Sequence, residues 1–369
     1  MPDRTVIVLR GEHVNPWELR AWERLGPGYR VRVLLPRRNR FEPPGGLEAV
    51  PVTTLGDLLP PGAAGRMLVR VPGQRYLGLA GRLEGADVVH AAELGYWFTW
   101  QAARLRARLG FKLVVTVWET LPFRDAYRNV RTRRYRADVL AAADLYLATT
   151  ERARDALLLE GADPERIVVA PPGVDVERFG AARDGAVRDD PPLVVSIGRL
   201  VWEKGHQDLL RALALLRRER PALAVRALIV GTGPEEGRLR RYARELGVEH
   251  LVEFAGAVPY DELPAVYGRA SCLVLASLPT WFWEEQFGMV LAEAMAAGVP
   301  IVASRCGAIP EVVGDAAALF APGDWRGLAN ALADGPLAAG ATDPQRVARF
   351  SADAAAGRLR DAYDRVLAA

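Results

Sequence analysis

Residues 191–233 read PPLVVSIGRLVWEKGHQDLLRALALLRRERPALAVRALIVGTG. A short run of branched aliphatics stops at Gly198 and gives way to a polar loop. The chain then resumes as HQDLLRALALLRRER, with apolar residues three and four apart. A second aliphatic run, VRALIVGTG, ends on a pair of glycines, Gly231 and Gly233. Strand, helix and strand in that order make a βαβ unit, whose two strands lie parallel.

Outward from this stretch the pattern repeats. HLVEFAG, SCLVLAS and PIVAS are further short strands toward the C-terminus, with EEGRLRRYARELG as a helix before them. On the N-terminal side TVIVLR, YRVRVLLP, ADVVHAA, KLVVTVW and DLYLATT are strands, and FTWQAARLRARLG is a helix between two of them. Near-continuous apolar strands alternating with helices imply parallel sheets covered on both faces. Between the halves, IVVAPPGVDVERFGAARDGAVRDDPP breaks the periodicity with Pro, Gly and charge and is expected to be a linker. The expected class is α/β: two Rossmann-like doubly wound parallel-sheet domains facing a central cleft, at residues 1–170 and 171–350. A closing helix is expected over 351–369.

A chain of 369 residues and 40.3 kDa accommodates two such cores. A net charge of +3 gives no case for nucleic acid, so no nucleic-acid partner is expected. Apolar runs fall well short of the roughly 20 residues that span a bilayer, and no secretory leader is evident, so a cytoplasmic protein is expected. Cys272 and Cys306 follow no metal spacing and read as small buried hydrophobes. None of the four histidines pairs with another at ligand spacing, so no metal site is expected. Lysine occurs only at Lys112 and Lys204 in an arginine-rich chain, which singles out each of them.

Chemistry is sought on the loops that leave the carboxyl ends of the strands. SIGRLVWEKG puts Arg199 and Lys204 on one such loop, where two cations suit a diphosphate. EEQFGMVLAEAMAAG places Phe287, Gly288 and Met289 at a helix start, a favourable position for an anion. Glu285 precedes that start and Glu293 lies inside an apolar helix, where a carboxylate needs partners such as sugar or ribose hydroxyls. The bland alternative makes Glu285 a favourable first-turn charge and Glu293 a solvated helix residue. LIVGTGPEEGRL offers Gly231 and Gly233 at a tight turn, without a full dinucleotide fingerprint.

In the first half, VLRGEHVNPWELR supplies Asn15 as a helix cap, with Gly11 and His13 beside it as ligand-facing candidates. His90 ends its strand and is expected to face the cleft mouth. FRDAYRNVRTRRYRADVL carries Arg124, Arg128 and Arg131 on neighbouring turns. This is either a solvated face or a basic ridge, running from Arg124 to Arg136, for peripheral contact with anionic membrane at the inner face.

Taken together, GRLVWEKG, GTGP, EEQFGMVLAEAMAAGVPIVAS and GAIPEVV, with APPGVDVERF at the linker, resemble the family 4 retaining glycosyltransferases of the GT-B fold. The resemblance implies a nucleotide-sugar donor held by the second domain and a carbohydrate or lipid-linked acceptor held by the first. Neither cofactor nor metal is implied. Arg199 and Lys204 match the cations on the diphosphate, Glu285 the acid at the donor-sugar hydroxyls, and Glu293 the acid at the ribose. Phe287, Gly288 and Met289 match the backbone around sugar and phosphate, and the base would lie near Gly256 to Val258. Gly233 and Gly11 complete the donor candidates. His90, Trp118, Glu119 and His13 are the acceptor candidates, although Ala92 and Trp118 stand where many members have histidines.

The leaving diphosphate would be stabilised without a metal, with same-face attack and retention. Three alternatives share the architecture. A phosphorylase needs a lysine for pyridoxal phosphate, an epimerase needs no acceptor, and a binding module shows no turnover.

Overall fold

The computed structural model describes residues 3–11, 14–39, 46–60, 62, 65, 73, 75–124, 130–184, 187–334 and 344–369. The chain divides into two compact units, one formed by Met1–Gly173 with Ala352–Ala369 and the other by Val174–Ser351.

Among the described residues, the first unit is built on seven parallel strands. They are β1 (Arg4–Leu9), β2 (Tyr29–Pro36), β3 (Glu48–Val52), β4 (Val88–Ala92), β5 (Lys112–Val117), β6 (Leu145–Ala148) and β7 (Ile167–Val169). Their order is β3-β2-β1-β4-β5-β6-β7. Every residue of β4 is buried, as expected of a central strand covered by helices on both faces. One face packs Ile7, Leu34 and Val89 against the helix Trp97–Leu109 through Phe98 and Ala102. The other packs Val6, Val8 and Trp22 against Leu359, Tyr363 and Val366 of the helix Ala352–Ala368. The helix expected to close the chain is therefore part of the first unit's core.

The second unit has six parallel strands: β8 (Leu193–Ile197), β9 (Arg226–Val230), β10 (Val252–Gly256), β11 (Cys272–Leu275), β12 (Ile301–Ser304) and β13 (Ala317–Phe320). Their order is β10-β9-β8-β11-β12-β13. The βαβ unit quoted above forms as its pattern dictates. β8 and β9 pair in parallel from Leu193↔Arg226 to Ile197↔Val230, joined through the helix His206–Glu219. That helix buries Leu209, Leu210, Leu213 and Leu216 on one stripe, each worth about 1.5–3 kcal/mol in removal from water.

The expected linker is a correction. It holds edge strand β7 and a nine-residue helix, Val176–Asp184, that belongs to the second unit. Phe179 on that helix is fully buried against Tyr260 and Tyr267, and this apolar anchor outweighs the local Pro and Gly signals.

In each sheet the strand order reverses once, between β1 and β4 and between β8 and β11. Open α/β sheets bind ligands outside the carboxyl ends of the strands at such a switch point.

Candidate functional site

The loop leaving β8 carries Gly198 and Arg199 and then a short 3-10 helix, Trp202–Lys204. The segment leaving β11 carries Ser277 and Glu285 and leads into the helix Met289–Ala296. The two are joined at the switch point, where Leu278 N–H donates to the Glu203 carbonyl at 2.8 Å.

At their junction Lys204 Nζ donates to Glu285 Oε2 at 2.6 Å, and Ser277 Oγ donates to the same oxygen at 2.7 Å. Glu285 is only 6% exposed. The Lys204 ammonium also lies 4.9 Å from the centroid of the Trp283 ring, a cation–π contact. A buried carboxylate is tolerated here because charge and hydrogen bonds meet it together.

The Glu285 backbone is pinned as well. Ala308 N–H donates to its carbonyl at 2.9 Å. Gly307 adopts φ +58, and a Cβ there would fall 2.1 Å from that same carbonyl oxygen. This is the physical need for glycine in GAIPEVV.

Arg199 is exposed on the same loop, and among the described residues no acid pairs with it within 4 Å. Gly288 caps the helix Met289–Ala296 in the left-handed region, at φ 80, without a side-chain cap. The first backbone N–H groups of that helix are left for an outside acceptor. Phe287 beside it is buried edge-on against Phe350, so its ring is part of the core. The arrangement offers an anion a guanidinium, an ammonium and a helix N-terminus on adjacent segments.

Glu293, 3% exposed, faces the interior from that helix. Tyr267 Oη donates to its Oε2 at 2.8 Å, and Tyr260 also hydrogen-bonds the carboxyl. Burial pushes its pKa up to about 7 against the pull of the two hydroxyls. The partners that such a buried acid requires are thus, within this chain, tyrosines.

Other expected residues fall differently. A Cβ on Gly233 would lie 2.2 Å from the Leu200 carbonyl oxygen, and one on Gly231 would lie 1.9 Å from that of Gly198. Both glycines are therefore accounted for by the close packing of two loops. Val258 sits partly exposed on the segment after β10.

In the first unit, His90 is a correction. It lies inside β4 at 0% exposure, with Nδ1 2.6 Å from Tyr363 Oη and Nε2 2.7 Å from Thr116 Oγ1. Trp22 Nε1 donates to the same tyrosine oxygen, so the Tyr363 proton goes to Nδ1 and His90 is neutral with its proton on Nε2. Burial, reinforced by Arg10, holds its pKa well below the usual range. No substrate reaches a ring saturated on both nitrogens.

Gly11 is buried, with its N–H donating to Tyr76 Oη at 3.1 Å, and a Cβ there would fall 2.9 Å from the Phe98 ring. Trp118 and Glu119 follow β5, partly exposed. Glu119 accepts from the N–H groups of Thr120 and Leu121 and from Arg124. His13 lies outside the described residues.

The arginine ridge is also corrected at its end. Arg136 is buried in an ion pair with Glu160, since an interior guanidinium needs a carboxylate. Arg128 and the side chain of Arg131 lie outside the described residues. His206 is buried, bonded to Ser196 Oγ and the Arg199 carbonyl, and burial lowers its pKa to about 4. Cys272 and Cys306 are both free and buried.

Sequence reasoning missed Ser277, Trp283, Tyr260 and Tyr267, none of which stands in a recognisable spacing. It also missed Glu93, which follows β4 at φ 60 and accepts from Trp118 N–H at 2.8 Å. Among the described residues no three His, Cys, Asp or Glu side chains gather as a metal site. No helix there is long and apolar enough to cross a membrane.

Two family models match the chain in tandem. "Glycosyltransferase Family 4" covers residues 19–178 and "Glycosyl transferases group 1" covers residues 181–334. Solved structures share the fold over nearly the whole length. HepE of Anabaena, solved with UDP and glucose, has a TM-score of 0.70 at 20% identity, over 98% of this chain and 99% of that one. Sucrose-phosphate synthase of Thermosynechococcus elongatus has 0.73 at 20%, over 99% of each. The fold is GT-B, of two Rossmann-like units. The chain belongs to the family 4 glycosyltransferases.

Among curated relatives, a D-inositol 3-phosphate glycosyltransferase of Corynebacterium kroppenstedtii is 32% identical over 246 residues, 60% of this chain and 53% of that protein. A GDP-mannose-dependent alpha-(1-6)-phosphatidylinositol monomannoside mannosyltransferase of Mycolicibacterium smegmatis is 41% identical over 158 residues, 39% of this chain and 40% of that one. The chain spans about half the length of the curated relatives it matches.

Proposed function

We propose that this protein transfers a hexosyl-type sugar from a nucleoside-diphosphate sugar to a hydroxyl of a carbohydrate or lipid-linked acceptor, with retention and without a metal. The observation that carries the reading is the Lys204–Glu285 pair beside Arg199 and the uncapped start of the helix Met289–Ala296. As the anomeric C–O bond breaks, its electron pair moves to the departing diphosphate. Arg199, Lys204 and the helix N-terminus meet that charge, with Lys204 already oriented by Glu285 and the Trp283 ring, which lowers the barrier electrostatically. Glu285 has a second role, because Oε2 is taken by Lys204 and Ser277 while Oε1 is left to accept a donor-sugar hydroxyl. In same-face attack the acceptor oxygen bonds the anomeric carbon, and its proton passes to the leaving phosphate oxygen.

The test is product formation from a panel of UDP- and GDP-sugars with sugar and inositol-phosphate acceptors, with EDTA present. Expected is transfer from one donor that EDTA leaves unchanged and that Lys204→Met lowers in kcat by about 100-fold or more, the scale of losing one oriented charge at a developing anion. Nucleotide release that needs no acceptor, with an isomerised sugar as product, would make the protein an epimerase instead.

A further inference from the structure

Glu293 is held in a setting that its own helix does not explain. The helix Met289–Ala296 is apolar around it, with Leu291, Ala292, Ala294 and Met295 buried. The polar atoms that meet the carboxyl come from elsewhere. Tyr267, on the helix Leu263–Arg269, is 1% exposed and directs its hydroxyl to Glu293 Oε2 at 2.8 Å, with the Val290 carbonyl 3.2 Å away. Tyr260 hydrogen-bonds the same carboxyl from the turn that follows loop 257–259. Phe179 packs edge-on against both rings, at 5.6 and 5.5 Å between centroids, and fixes where the hydroxyls point. Such a cage selects one orientation of the carboxyl, because each bond lost leaves a buried polar atom unpaired.

We propose that Tyr260 and Tyr267 are positioning residues for the Glu293 carboxylate, and that Tyr260 ties its orientation to loop 257–259, so that base and ribose are recognised as one unit. This rests on the donor-binding reading above. A nucleotide base seated on that loop would restrain Tyr260 and with it the carboxylate that accepts the ribose hydroxyls.

The cage has a signature that a purely structural role lacks. Ribose hydroxyls bind the ionised carboxylate, and the two tyrosine hydroxyls favour that form. Removing either hydroxyl therefore moves the ionisation of Glu293 upward. The charged groups around the cage are few. Asp175 and Arg178 face Tyr260, Arg178 also pairs with Asp261, and Arg269 beside Tyr267 is engaged by Asp189 at 2.9 Å. They are common to every variant below.

The experiment is calorimetric titration of UDP and GDP into the full chain between pH 5.5 and 8.5, for wild type, Tyr260→Phe, Tyr267→Phe and Glu293→Gln. Phenylalanine keeps the rings packed on Phe179. Tyr260, nearer the surface, keeps the test intact should Tyr267→Phe fail to fold. Wild type is expected to bind one nucleotide more weakly toward acid, with a midpoint near neutrality that Glu293→Gln abolishes. Each tyrosine variant should shift that midpoint up by about one pH unit, bind about fivefold more weakly at pH 7, and approach wild type at pH 8.5. Equal weakening at every pH, or an unmoved midpoint, overturns the positioning role while the donor reading stands. Absence of binding by wild type at millimolar nucleotide overturns both.

Discussion

Replacing Lys204 with methionine removes one member of a nearly buried ion pair and keeps the aliphatic stem. Deleting one partner of a fully buried pair costs about 3–5 kcal/mol, because the other charge is left uncompensated. Here the two side chains are 15% and 8% exposed, and Ser277 still donates to Glu285. A loss of about 2–3 kcal/mol follows for the second unit. Glu285→Gln is milder, since Lys204 keeps the Trp283 ring face and a neutral oxygen. The double variant should therefore lose less than the sum of the single losses, with a coupling of about 1–2 kcal/mol. Differential scanning calorimetry of the full chain reads this directly. For a unit of this size each kcal/mol moves Tm by about 2–4 °C, so Lys204→Met should lower the second unit's transition by about 4–12 °C. Strict additivity, with Lys204→Met shifting Tm by under about 2 °C, would refute the view that Glu285 and Lys204 hold each other in place.

Three further outcomes are expected. Glu293, raised from 4.5 to about 7, contributes stability that is present at acid pH and lost as pH rises through about 7, whereas His206, lowered from 6.5 to about 4, loses stability as pH falls below 6.5. The two nearly offset each other, so Glu293→Gln should be the more stable protein at pH 8 by up to about 3 kcal/mol and should weaken by a similar amount between pH 6.5 and 4. Urea titrations across pH check this, and a variant that tracks wild type throughout would contradict it. Tyr363→Phe leaves Trp22 Nε1 and His90 Nδ1 without partners in the first core and should cost about 2–4 kcal/mol, read as a lower urea midpoint at unchanged slope. Gly307→Ala drives a Cβ into the Glu285 carbonyl. It should cost at least about 2 kcal/mol and abolish nucleotide binding, whereas a variant with wild-type affinity would show that the close approach does not matter.

The sequence carried the central strands and failed at the margins. β3, β7 and β13 went unrecognised, and all three are edge strands. EAVPV contains a proline, IVV is three residues long, and AALF is mostly alanine, so none has a strand pattern strong enough to stand without its partner. The residues gathered at the second switch point were legible, because Arg199, Lys204, Glu285 and Gly288 sit where a strand or helix visibly ends. Their supports were not. Ser277, Trp283, Tyr260 and Tyr267 meet the acids only through tertiary packing. His90 misled for the same reason: its strand continues to Ala92, and Tyr363, 273 residues away, closes it off.

Arg199 and Lys204 are proposed to hold a diphosphate at the start of the helix Met289–Ala296. The most direct measurement is isothermal titration of UDP, GDP, ADP, dTDP and CMP into wild type and into Arg199→Leu at pH 8. One nucleoside diphosphate should bind, with its own monophosphate, titrated in parallel, much weaker for want of the second phosphate, and Arg199→Leu should weaken the diphosphate at least about tenfold, the value of a charge-assisted contact. Equal affinity for the monophosphate and diphosphate forms of that nucleoside, or no effect of Arg199→Leu, would contradict it.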